Sequence, residues 1–463
     1  MERPEAFSSH GEELHFPYKH ALVAFISLTL LIITLYGIWV LKTTGDYILS
    51  PIKTTHHFTY QKPVQSGLQT VPFLVNLSRP ALPVDEDNVS QDDPPSSIST
   101  TEAPTEIIQE YPWEHDKSLE WLRPERKRTI LRVPDQYPTI QQAIEAAVPG
   151  NQIIIAPGTY EESFVIDKTI EIGATEPGTV TLRTDADSPV IQVRNGAVPR
   201  ISFLTFEHLP DYKSDEPAAL LFIADASPTI ERCIFQFSQG SGIEITGDTT
   251  TRIIQSHIQR NRGFGVHVVG KKAQVVLIEN QIQSNELTGV VIAEGARAAI
   301  RKNIIIANGW DGVGVFDPET NPLIYSNTIS DNGRRGLAFS RGAKGLAQSN
   351  TIESNAWDGI VVLDPDTAPI LNYNIIRRNN ARGIHFMDGA KGVANANLVE
   401  NNFETGIMIS GADTQPELNF NRSNKNGLWG YDYDQGAQIV RGRGNSAHGN
   451  SAGPIRNPPH HGF

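Results

Sequence analysis

Two stretches set the fold: NIIIANGWDGVGV at 303–315 and NTIESNAWDGIVV at 350–362. Both read N-x-I-x-x-N-x-x-x-G followed by alternating apolar residues. Alternation at spacing two is the mark of short β-strands, and Asn and Gly mark the turns between them. The first Asn recurs at Asn280, Asn303, Asn327, Asn350, Asn374, Asn397 and Asn421, in steps of 23 and 24. The second recurs at Asn285, Asn308, Asn332, Asn355, Asn379, Asn402 and Asn426. A glycine follows at Gly289, Gly312, Gly336, Gly359, Gly383, Gly406 and Gly430. Weaker copies start at Cys233 and Ser256. Three short strands per ~23 residues make one coil of a solenoid. The expected roles are amide ladders for the Asn sets and, for glycine, corner conformations that other residues resist.

Alternation of 23 and 24 gives a two-coil unit of 47 residues. Gly295, Gly342, Gly389 and Gly436 share that spacing, as do Pro322, Pro369 and Pro416. Eight residues after each first Asn the sequence reads Asp311, Arg335, Asp358, Arg382. Coils stack at ~4.8 Å, so this predicts an outward column of alternating charge. One residue earlier stand Trp310, Arg334, Trp357 and Ala381, so a guanidinium is expected between two indoles. Trp310, Trp357, Arg334, Arg335 and Arg382 are therefore candidate ligand residues, suited to sugar rings and acidic groups. A column serving structure alone is the other reading.

Outside the repeats, Ala21–Leu41 is 21 residues without a charge. At ~1.5 Å per residue it is long enough to cross a bilayer. We expect a tail (1–20), a transmembrane helix (21–41) and a disordered acidic linker rich in Pro, Ser and Thr (42–128). A β-helix domain (129–455) and a C-terminal tail (456–463) follow. A short tail before a large domain places that domain outside the cytoplasm. Between Asp85 and Arg126 twelve acids face three bases, which accounts for −9 of the net −13. The repeats are thus nearly neutral and lack the basic stripe that nucleic-acid binding needs. The lone Cys233 excludes an internal disulfide and reads as a small core residue.

The repeats resemble those of the pectin lyase-like superfamily of right-handed parallel β-helices, in the style shared by carbohydrate-binding proteins and sugar hydrolases. The opening VPDQYPTIQQAIEAAVPGNQIIIAPGTY (133–160) is similar to the N-terminal cap of pectin methylesterase-like members. The resemblance spans about residues 130–450. It implies an all-β, right-handed, single-stranded parallel β-helix with an N-terminal capping helix, here Ile140–Ala147. Strands are expected at Ile153–Ile155 and Phe164–Ile172.

Candidate chemistry is sparse. Asp317, Glu319, Asp364, Asp366 and Asp388 form the best carboxylate set, suited to acid–base work on glycosides or to Ca2+. GVFDPET and VVLDPDT look like the Asp-Pro motif of β-helix alginate epimerases. That motif continues with His and Asp, where this chain has Glu-Thr and Asp-Thr. His267 and His385 share an outward repeat position and read as solvated. No nucleophile motif, phosphate loop or Cys/His metal spacing is present, and no other cofactor is expected. Three functions follow: a membrane-anchored module binding glycan or protein without catalysis, an enzyme on uronic-acid polymers (lyase, hydrolase or epimerase), and a structural spacer.

Overall fold

The computed structural model describes residues 129–210, 214–434, 437 and 441–457. The expected tail, membrane span and linker lie outside the described residues. Among those described, no helix is long and apolar enough to cross a membrane.

Short strands follow one another in fixed rotation through three parallel sheets. Sheet 1 has 14 strands, from Ile130–Val133 to Arg441–Arg443. Sheets 2 and 3 have 13 each, running from Gly158–Glu161 to Ser446–His448 and from Phe164–Ile166 to Gly453–Arg456. Each strand pairs in register with the strands one coil before and after. Ile305, for example, lies between Ile282 and Ile329. The expected parallel β-helix is therefore what forms.

A three-residue strand such as Ile304–Ile306 points only its central residue inward. That residue is wholly buried, as are Ile282, Ile329, Ile352 and Ile376 in the same column. Burying each such side chain stabilises the fold by about 1.5–3 kcal/mol. Cys233 sits in this core, and burial pushes its thiol up to about 12.

At the N-terminal end, helix α1 (Ile140–Ala146) stands between the first two strands of sheet 1 and buries Ile140, Ala143 and Ile144. Thr139 Oγ1 accepts the Gln142 N–H, while the Glu162 carboxylate accepts from Ile140 N and Gln141 N. Lys168 Nζ donates to the carbonyls of Ile144, Glu145 and Ala147 at the other end. Lys168 also marks a correction. The run Phe164–Ile172 is two strands, Phe164–Ile166 and Glu171–Gly173, with a turn between them.

Both Asn columns form ladders. In each, the side-chain amide donates to the next Asn Oδ1 and to a backbone carbonyl, while that Oδ1 also accepts a backbone N–H. The ladders continue to Asn445 and Asn450, beyond the last recognised repeat. The repeat glycines have a different role from the one expected. Gly289, Gly312, Gly336, Gly359, Gly383, Gly406 and Gly430 do not adopt positive φ. They are required because a Cβ would strike the next coil: at Gly336 it would lie 2.3 Å from Ile352 Cγ2 and 2.7 Å from the Gly359 carbonyl oxygen. The glycines of the 47-residue set are the left-handed ones among the repeat glycines, with Gly295, Gly342 and Gly389 at φ 81–82°.

Candidate functional site

Outward residues of sheet 3 form a continuous strip, one per coil. Register carries it through His267, Val291, Gly314, Ala338, Val361 and His385. The turn entering each strand supplies one wall and the corner leaving it supplies the other. Between them an open groove of about 700 Å³ is bounded by Trp310, Arg334 and Arg335 on one side and Phe316, Asp317 and Arg341 on the other. Four of the sequence candidates, Trp310, Arg334, Arg335 and Asp317, are brought together there.

The first wall carries the expected stack. The Arg334 guanidinium is 4.2 Å from the Trp310 ring centroid and 5.5 Å from that of Trp357. Trp310 remains 39% exposed. Among the described residues, Arg334 has no carboxylate within ion-pair distance, so its charge is available to a ligand. Arg335 also lies 5.5 Å from the Trp357 centroid.

The charge column beside it is not outward, as the sequence suggested. Asp311 and Asp358 are each only 6% exposed. Each tucks under the following turn, where its Oδ1 accepts a backbone N–H, from Arg335 at 3.0 Å and from Arg382 at 2.9 Å. Burial pushes both carboxyls above the usual range, and the guanidiniums of Arg335 and Arg382 work against that shift. Arg382 is shared, 3.5 Å from Asp358 and 3.4 Å from Glu404. It is thus engaged two coils beyond the groove rather than within it.

The second wall rests on a glycine. A Cβ on Gly314 would lie 2.6 Å from Phe316 Cε2 and Cζ, so that ring lies across the glycine. The Arg341 guanidinium covers the ring at 5.0 Å and pairs with Asp317 at 2.9 Å. Asp317 and Asp364 hold φ of 74° and 76°, and Asp366 and Asp388 are also left-handed. Asp364 Oδ2 accepts the Arg341 N–H, and Asp317 Oδ2 that of Glu294. The Thr that replaces the epimerase-type residue is buried: Thr320 and Thr367 accept N–H bonds from Gly295 and Gly342. These Asp-Pro segments are therefore corner pieces. Asp366 faces solvent beside Lys391, 3.8 Å away. Asp388 sits apart from the groove, its carboxyl raised by burial and then by Asp364. Among the described residues, no three His, Cys, Asp or Glu side chains are grouped to hold a metal ion.

His385 corrects another expectation. It is 5% exposed, not solvated, with Nε2 2.7 Å from Ser410 Oγ. Burial, then Arg382 and Arg335, pushes its pKa down to about 3, and His208 is likewise pushed down to about 4 by burial. Heteronuclear NMR should therefore find both imidazoles neutral from pH 8 to 5. A titration of either with a midpoint near 6.5 would contradict their burial.

Arg341, Gly314 with Phe316, and Ser410 were missed in the sequence. The one available signal was Gly314, a glycine where other coils carry Val, Ala or His.

A family model described as the right-handed β-helix region matches residues 191–321 and, overlapping it, 273–423. The chain belongs to this family. No curated protein matches its sequence significantly. Solved structures similar to this β-helix protein include the periplasmic alginate epimerase AlgG, at 14% identity and TM-score 0.52 over 71% of this chain and 83% of that one. The catalytic domain of a GH87 α-1,3-glucanase bound to tetrasaccharides is similar at 12% identity and TM-score 0.52, over 72% and 66% of the two chains. These likenesses concern the fold alone.

Proposed function

We propose that the sheet 3 groove binds an extended glycan, with preference for one carrying acidic groups. The observation that supports this most is the open wall of Trp310 and Arg334. An indole and a guanidinium with no ion-pair partner among the described residues together suit a sugar ring and a carboxylate or sulfate on it. Asp317 and Asp364 are already engaged at the corners, which favours binding over acid–base cleavage by the sequence-predicted carboxylates. The uncharged run Ala21–Leu41 supports membrane tethering, with the β-helix presented outside the cytoplasm.

A glycan array on the full chain, followed by titration of the best polymer with and without Ca2+, tests the reading. Trp310→Ala should weaken binding about tenfold, equivalent to ~1.4 kcal/mol, with little change in melting temperature. Arg334→Ala should weaken binding of acidic polymers more than neutral ones and reduce its salt dependence. Unchanged affinity in both variants removes the groove from consideration. Incubation with alginate and pectin separates binding from turnover: new unsaturated or reducing ends, or epimerised residues, would favour the uronic-acid enzyme instead.

A further inference from the structure

Asp358, His385 and Ser410 lie on three successive coils, whose sheet 3 strands Ile360–Leu363, Ile384–Met387 and Ile407–Ser410 pair in register. The three residues sit at different offsets, with His385 beside Val361 and Met408 and Ser410 beside Met387. His385 Nε2 is 2.7 Å from Ser410 Oγ, and its Nδ1 is 4.0 Å from Asp358 Oδ2. A backbone N–H from Arg382 fixes the carboxylate. Thr414 Oγ1 donates to the Ser410 carbonyl, which fixes the strand end. Ser410 is half-buried at the end of its strand, paired in register with Met387 and two residues beyond Met408, which continues the His385 column. A neutral imidazole with its proton on Nδ1, toward Asp358, leaves the Nε2 lone pair facing the serine hydroxyl. The Asp358–His385 separation of 4.0 Å is too long for a hydrogen bond, and catalytic contacts of this kind are often long before substrate binds and tighten when it does.

A second serine–histidine contact shows what a purely structural version looks like. Ser238 Oγ is 3.4 Å from His208 Nδ1, but that nitrogen already accepts the Gln239 N–H at 3.1 Å. Ser238 is 1% exposed, sealed from any substrate. Ser410 has neither obstacle.

We propose that Ser410 is a nucleophile, His385 its general base and Asp358 the residue that positions the imidazole, in a site hydrolysing O-acyl ester groups on a glycan. Ser410 Oγ attacks the ester carbonyl carbon and its proton passes to His385 Nε2. The carbonyl-carbon bond to the sugar oxygen breaks, and His385 returns the proton to that oxygen. Water then adds to the acyl-serine carbon, giving a proton to His385. The Oγ–carbon bond breaks, the proton returns to Ser410, and a carboxylic acid leaves. Burial first, then Arg382 and Arg335, lowers the proton affinity of His385 and keeps it neutral at the start of the reaction. The substrate class rests on the glycan-binding reading above; the acyl chemistry does not.

The test uses the full chain with a fluorophosphonate probe between pH 7 and 9, with peptide mapping of the adduct. The expected result is one label, on Ser410, absent from Ser410→Ala and slowed roughly 10²-fold in His385→Gln. Asp358→Asn should slow labelling and shift its pH profile. No label on Ser410 in the native wild-type chain overturns the proposal, whatever the variants do. Acetate release from an O-acetylated uronic-acid polymer provides the second readout. Labelling without glycan binding keeps the nucleophile and overturns the substrate class. Glycan binding without labelling leaves the binding reading intact and overturns this one.

Discussion

Asn355→Ala is expected to cost about 4 kcal/mol, seen as a lower denaturant midpoint. Asn355 Oδ1 accepts both the backbone N–H and the side-chain amide of Asn332. Its own amide donates to the Ile329 carbonyl and to Asn379 Oδ1. Asn355 is wholly buried, so water cannot replace these partners. A buried donor left unpaired costs about 1–3 kcal/mol, and the substitution orphans two on Asn332 alone. Hydrogen exchange should accelerate first at the Asn332 amide and spread to neighbouring coils, because each rung stabilises only the next. A loss under 1 kcal/mol would mean that the ladder contributes little beyond its backbone.

Gly336→Ala should be nearly as damaging, at about 3 kcal/mol, for a steric reason. The added methyl meets Ile352 Cγ2, the Gly359 carbonyl and, at 2.8 Å, Asn355 Nδ2. Only the first belongs to a side chain that could yield, and it is itself buried in the core. Gly196 supplies the control. It has φ +72° but nothing within 4 Å of a built Cβ, so Gly196→Ala should cost only about 1 kcal/mol of backbone strain. Thermal melts of the two variants separate close approach from left-handed backbone. Equal losses would overturn the distinction.

The β-helix was legible because its determinants repeat. Asn at two fixed offsets and glycine at a third carry the register through every coil from Asn280 onward. The earlier coils lack the Asn pattern, and there the sequence joined two strands across the Lys168 turn. The Trp310–Arg334–Trp357 stack was also legible, since stacked coils turn a sequence offset into a spatial neighbour. Burial of Asp311 and Asp358 was not. Alternation places them outside the core, but it does not show that the next turn folds over them and offers a backbone N–H. His385 and Ser410 occupy different offsets, eleven and thirteen residues after Asn374 and Asn397, so no column contains both. Their meeting depends on side chains leaning across coils. Arg341 was hidden for a similar reason: it acts through a ring that Gly314 allows to lie flat.

The alternation of 23 and 24 residues has a consequence for how such a chain can change length. Removing the single coil that carries Arg334 and Arg335 would set like turns against each other, Trp-Asp facing Trp-Asp with no arginine between them. Two buried carboxylates would then share one site, which is strongly disfavoured. Removing 47 residues restores every neighbour and shortens the rod by about 10 Å. Across these coils the chain can therefore lengthen or shorten without penalty only in pairs, like a ruler graduated in pairs of rungs.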